Sequence, residues 1–170
     1  MFVKANPEVK MALPSDREIA FTAILDHPSS LVFKAWTDPE HIRHWWGCEG
    51  ATLTLCQVDL RIGGAWRVTM RMADGSEHPF NGTYREIVPD ARLVYDERYE
   101  NDAAGNPEWL TTITFDDLNG RTRLSHTILH KSKEVRDAHL KAGMEAGTIQ
   151  TLHRLADRVA QMAEGAAARA

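Results

Sequence analysis

Between Arg17 and Asp26 apolar and polar positions alternate. Ile19, Phe21 and Ala23 fall on one face, the two-residue period of a strand buried on one side. The period then lengthens. His27-Pro28-Ser29-Ser30 opens a helix with a proline suited to its first turn, and Leu31, Val32, Ala35 and Trp36 follow at helical spacing. Thr37-Asp38-Pro39 ends it. Asp38 is placed to cap a second short helix that carries Pro39 first, and Gly47 and Gly50 close it.

From Thr52 to Lys131 the period returns to two, predicting strands over 52–60, 64–72, 79–88, 91–100, 108–116 and 121–131. Ala73-Asp74-Gly75-Ser76 and Leu118-Asn119-Gly120 are hairpin signals, Pro89-Asp90 makes a tight reversal, and 101–107 (NDAAGNP) is a longer loop. Short links between successive strands imply an antiparallel meander. Ser132 then caps a long helix expected over about 133–164, with an apolar stripe of Ile149, Leu152, Ala156, Val159 and Ala163. The expected layout is a loose arm over 1–16, one domain over 17–164 and a frayed tail over 165–170. Seven antiparallel strands need cover on one face, and the last helix is the element long enough to supply it. Space between a curved sheet and that helix is the expected site.

Composition narrows the partners. A net charge of −4 with both signs scattered argues against nucleic acid, which needs a basic stripe. No stretch approaches a membrane span, and the N-terminus lacks the apolar run of a signal peptide. Two cysteines, Cys48 and Cys56, are too few for a disulfide framework, so a cytoplasmic protein with reduced thiols is expected.

The chemistry-bearing residues point to a container. Three of five tryptophans (Trp36, Trp45, Trp46) lie in one short tract, and Gly63-Gly64 leads into a strand carrying Trp66. That strand puts Trp66, Val68, Met70 and Met72 on one face, as a pocket wall with adaptable methionines or as ordinary core. His126 alternates with Leu124 and Ile128 and is either a core histidine or a general acid/base. Tyr84, Tyr95 and Thr111 offer hydroxyls to the same interior. Gly143 and Gly147, four apart, imply a close approach of helix to sheet or a ligand lying against the helix. His41-x-x-His44 before Cys48 has metal-ligand spacing but lacks a fourth ligand, so no metal site and no cofactor are expected. Asp59 and Arg61 read as a structural ion pair, and Asp116-Asp117 as a turn. No GxSxG, HExxH, Walker or GxGxxG motif occurs.

Five segments in order, FKAWTDPEHIRHWWG, DLRIGGAWRVTM, FNGTYREIVPDARLVY, TITFDDLNGRTRLSHT and GMEAGTIQTLHRLAD, resemble the START/Bet v 1-like (SRPBCC) superfamily. Within it the chain looks like bacterial proteins related to the C-terminal domain of the activator of Hsp90 ATPase. Cys48 stands where that family usually has proline after Trp-Trp-Gly. The resemblance implies an α+β helix-grip fold, a seven-stranded curved antiparallel sheet wrapped around a long C-terminal helix, with two short helices after the first strand. It also implies a central cavity; members bind lipids, sterols, polyketides or flavonoids, and some are cyclases, aromatases or hydrolases.

The expected function is binding of a small hydrophobic or aromatic molecule, with walls from Trp46, Trp66, Val68, Met70, Phe80, Tyr84, Tyr95, Trp109, Ile113, His126, Met144 and Gly147. One alternative is a cyclase- or hydrolase-type enzyme with His126 as acid/base and Tyr84 or Tyr95 as donor. Another is a co-chaperone-like module presenting a patch around Trp45-Trp46 or on the outer sheet face. An Hsp90-type partner follows from family analogy alone, and a homodimer from superfamily precedent.

Overall fold

Alternation in Glu18–Leu25 is carried through to packing: Ile19, Phe21, Ala23 and Leu25 are all buried while their neighbours are not. A computed structural model describes residues 6–169. Residues 1–5 of the expected arm and Ala170 of the expected tail lie outside the described residues. Strand β1 (Lys10–Ala12) precedes β2 (Glu18–Leu25). Helices α1 (Ser29–Thr37) and α2 (Pro39–Ile42) follow. Then come β3 (Thr52–Val58), β4 (Ala65–Arg71), β5 (Glu77–Val88), β6 (Arg92–Tyr99), β7 (Glu108–Asp117) and β8 (Thr122–Leu129). Helices α3 (Lys133–Lys141) and α4 (Met144–Arg169) end the chain. All neighbours are antiparallel, in the order β1-β2-β8-β7-β6-β5-β4-β3. Register shifts at Leu53/Leu55 and Tyr84/Glu86 add local twist and help the sheet curl.

The sheet has eight strands, not seven. Lys10–Ala12 pairs with β2 in the segment expected to be a loose arm, setting Met11 opposite Phe21. Three residues are too few to show a period, so pairing with an existing edge, not pattern, makes this strand. The expected single final helix is two. Gly143 adopts φ +86° and its N–H donates to Leu140 O, a left-handed C-terminal cap that closes α3 and lets α4 start in a new direction. Gly143 therefore carries no helix-interior penalty. Helix α4 also runs past the expected end at 164, to Arg169. Its buried residues are Leu152, Leu155, Val159, Ala160 and Met162; Ile149, Ala156 and Ala163 are only partly covered. Helix α2 is four residues long, so Trp45 and Trp46 sit in the turns after it.

The interior divides into a packed end and a hollow end. The row Phe21–His126–Ile113–Leu93 runs across β2, β8, β7 and β6. On one side α1 and the middle of α4 fill the sheet: Phe33 and Trp36 meet Phe115, with ring centroids 5.4 and 6.3 Å away, and Leu155 and Val159 are fully covered. On the other side α3 and the first turns of α4 stand off from the sheet.

Candidate functional site

Opposite α3 the sheet bounds a cavity of about 730 Å³, within the range of small-molecule sites. Its floor comes from alternate residues of the central strands: Tyr95, Glu97 and Tyr99 of β6, Trp109 of β7, His126 and Ile128 of β8, with Phe80 and Met70 from β5 and β4. One end is closed by Trp36, Trp45 and Trp46. The roof is Val135 and His139 of α3, the Gly143 hinge, and Met144, Gly147 and Thr151 of α4. Exposed Ala104 and Gly105 of the 101–107 loop face exposed Ala138 and Ala142 across the mouth.

Eight of the expected wall residues come together here: Trp46, Met70, Phe80, Tyr95, Trp109, His126, Met144 and Gly147. Four do not. Trp66, Val68 and Tyr84 border instead a separate void of about 30 Å³, room for roughly one water, and Ile113 is fully buried in the packed end. Alternation places all four on the inward face correctly, but α1 and Trp45 occupy that part of the interior. Trp66 lies over Gly82, its cross-strand partner; a Cβ at Gly82 would overlap the Asp96 carbonyl oxygen and come within 2.5 Å of Trp66 Nε1. Trp66 Nε1 and Thr111 Oγ1 are buried with no hydrogen-bond partner.

The polar groups of the chamber are ordered. Trp36 Nε1 donates to Tyr95 Oη at 3.2 Å, and Trp109 Nε1 donates to Glu97 Oε2 at 2.8 Å. Burial raises Glu97 to a pKa of about 7, against the opposing pull of the Trp109 bond. Glu97 keeps some free surface because it borders the chamber, yet protein surrounds it, so it titrates as a buried acid. His130 Nδ1 lies 3.2 Å from Arg17 O, and His130 Nε2 lies 2.8 Å from His139 Nδ1. A carbonyl only accepts, so His130 is protonated on Nδ1 and accepts on Nε2 from His139, which leaves His139 Nε2 an acceptor. His139 also stacks on Trp109, centroids 4.6 Å apart. Burial, then the neighbouring His130, lowers His139 to about 4. His126 is lowered to about 4 by burial and then by His139; its Nδ1 has no partner, and its ring stands edge-on to Trp36.

Glu97, Tyr99, His130 and His139 were not among the expected residues. Glu97 was in reach, since RLVYDERY runs Leu93, Tyr95, Glu97, Tyr99 in phase with the buried face. His139 was not, because its placement depends on the break at Gly143. Arg154 of α4 was also missed. It donates to the carbonyls of Gly47, Cys48 and Ala51 at 2.9, 2.8 and 3.2 Å, pinning the turn that carries Trp46.

The other candidates have local roles. His41 Nδ1 accepts from Arg158 at 2.9 Å, and burial followed by the Arg158 charge lowers its pKa. Asp59 and Arg61 form an exposed pair at 2.8 Å in the turn after β3 rather than on a strand. Asp117 Oδ1 accepts from Gly120 N. Trp45 is 1% exposed and Trp46 packs edge-on against Phe80, so the Trp45-Trp46 pair presents no free patch. The outer sheet face carries exposed ion pairs, among them Arg67–Glu100 and Arg85–Asp96. Among the described residues no helix is long and apolar enough to cross a membrane.

A curved antiparallel sheet gripping a C-terminal helix, with a chamber between them, defines a helix-grip, Bet v 1-like domain. The model of the activator of Hsp90 ATPase homolog 1-like protein family matches residues 26–160, and the chain belongs to that family. No curated protein is a significant match. Among solved structures, a protein from Rhodobacter sphaeroides superposes with TM-score 0.82 at 21% identity, over 91% of this chain and 99% of that one. A protein from Chromobacterium violaceum is 31% identical, with TM-score 0.73 over 85% of this chain and 98% of that chain. The AHSA1 protein from Silicibacter pomeroyi gives TM-score 0.68 at 19% identity, over 85% and 99%.

Proposed function

We propose that this protein is a receptor for a small molecule with a largely apolar or aromatic body, held between the sheet and the α3–α4 hinge. The observation that carries the reading is the chamber itself. Protein interiors pack to crystal-like density, whereas about 730 Å³ here leaves largely apolar and aromatic walls against water in place of packing contacts. A ligand restores them. Its aromatic floor supplies area and its few polar groups supply orientation, as small-molecule sites require. Unpaired Cys48 and Cys56 support a reducing compartment, the cytoplasm.

An acid–base enzyme is the second reading. It is favoured by a carboxyl and imidazoles facing one chamber, with Glu97 rather than His126 the group held near neutrality. The family name raises a third, contact with an Hsp90-type chaperone, for which the outer sheet face is the remaining surface.

The test is occlusion without unfolding. A Cβ on Gly147 would meet only Cys48 Cβ, at 3.9 Å, in a helical backbone. Gly147→Leu therefore keeps the helix, gaining about 1 kcal/mol of propensity, while its side chain enters the chamber. A neutral naphthalene fluorophore should bind the wild type saturably and the variant at least about tenfold more weakly, with the melting temperature unchanged or raised. Undiminished binding by the folded variant refutes the site.

A further inference from the structure

The chamber holds a carboxyl with no cation to match it. Glu97 borders the chamber, and its Oε2 accepts from Trp109 while no described residue hydrogen-bonds Oε1. Of the described residues around the chamber, Lys131 alone carries a fixed positive charge. It lies at the mouth, 3.8 Å from Glu108, which Arg98 also holds. The imidazoles are poor substitutes: burial disfavours the charged form of His126, His130 and His139, and the bond order fixed by Arg17 O makes His139 an acceptor. Tyr95 and Tyr99 are phenols; burial pushes Tyr95 further from ionising. The rings of Trp36, Trp109, Tyr95 and Tyr99 wall the same space, and aromatic faces attract cations.

We propose that the ligand of this chamber carries a protonated amine at one end of its apolar or aromatic body, with the ammonium seated against Glu97. The inference rests on the receptor reading above and specifies its ligand class. Once ionised, the Glu97 carboxylate gains from such a guest the counter-ion that the protein withholds, and Trp109 already orients its other oxygen. A carboxylic acid would meet Glu97 as a like charge, and a neutral alcohol would fill the space without supplying the missing charge. Where Glu97 begins protonated, binding an ammonium expels its proton to solvent. The charge on the ligand does not change.

The experiment compares three probes of one skeleton, 2-(1-naphthyl)ethylamine, 2-(1-naphthyl)ethanol and 1-naphthylacetic acid, by titration calorimetry. The amine should bind at least about tenfold more tightly than the alcohol at pH 8, and the acid most weakly. Glu97→Gln should erase the amine's advantage and leave the alcohol's affinity within a few-fold. On the wild type alone, runs in buffers of different ionisation enthalpy should show close to one proton released per amine at pH 6 and about a tenth of one at pH 8, with none for the alcohol. Alcohol binding as tight as amine binding, or an amine preference that survives Glu97→Gln, or amine binding without proton release at pH 6, overturns this inference and leaves the receptor reading standing. Binding of none of the three by folded protein removes both.

Discussion

Replacing Glu97 by glutamine isolates the energetic consequence of a carboxyl kept inside the chamber. Glutamine preserves the shape and, through its carbonyl oxygen, the bond from Trp109 Nε1. Burial moves the Glu97 pKa from 4.5 to about 7. A raised acid pKa means that the folded state holds the proton more tightly than the unfolded state. Its effect on stability is therefore nil below about pH 4.5, grows unfavourable as pH climbs, and levels off above about pH 7. A shift of this size corresponds to about 3 kcal/mol, an upper figure because water in the chamber screens the ionised form. The difference in unfolding free energy, variant minus wild type, should thus rise from near zero at pH 4.5 to about 1–3 kcal/mol at pH 8. Urea unfolding at half-unit pH steps measures it. His126 and His139 act in the opposite direction, since depressed imidazole pKa values withdraw stability as pH falls from 6.5 toward 4. They are present in both proteins and cancel in the difference. A difference that is flat across this window refutes the claim that Glu97 is a desolvated acid, whatever the absolute stabilities.

Two further outcomes test how the chamber is built. Arg154→Ala strands the carbonyls of Gly47, Cys48 and Ala51, and should lower stability by about 2–3 kcal/mol while speeding hydrogen exchange across residues 44–51. Arg154→Lys should recover only part of this, because one ammonium cannot reproduce the fork; full recovery would show that charge alone matters. Gly82→Ala drives a methyl into the Asp96 carbonyl and the Trp66 indole, and should cost about 3 kcal/mol or more in thermal unfolding. A stable alanine variant would mean that Trp66 and the β5–β6 pairing yield more readily than this packing allows.

How far pattern reaches into three dimensions differs between strand and helix. Strands β2 and β4 to β8 were legible to within a few residues because each buries one face, so a two-residue period is imposed on the sequence. Strand β1 imposes none: Met11 is its one large inward residue, and pairing to β2 does the rest. The helix break was misread for a related reason. Gly143 and Gly147 are four apart in either reading, but one is a left-handed cap and the other a helical residue open to the chamber. Spacing alone does not distinguish a glycine that ends a helix from one that thins it.

The candidate site shows the same boundary more sharply. Period two tells which face of the sheet a residue lines, not how far along the strand the covering helix reaches. Ile113 and Trp109 share a face of β7, four residues apart. Ile113 lies in the row with His126 and Leu93 and is sealed, whereas Trp109, opposite Glu97, borders open space. What separates them is α1, whose Val32, Phe33 and Trp36 fill one end, and the Gly143 hinge, which lifts α3 off the other. Polar residues in an apolar phase are the stronger sequence signal for such a site. Leucine or tyrosine in phase is expected of any core, but a glutamate in phase carries a desolvation penalty that ordinary packing would not retain. Glu97 has that phase, and the space beside it is where a cation would remove the penalty.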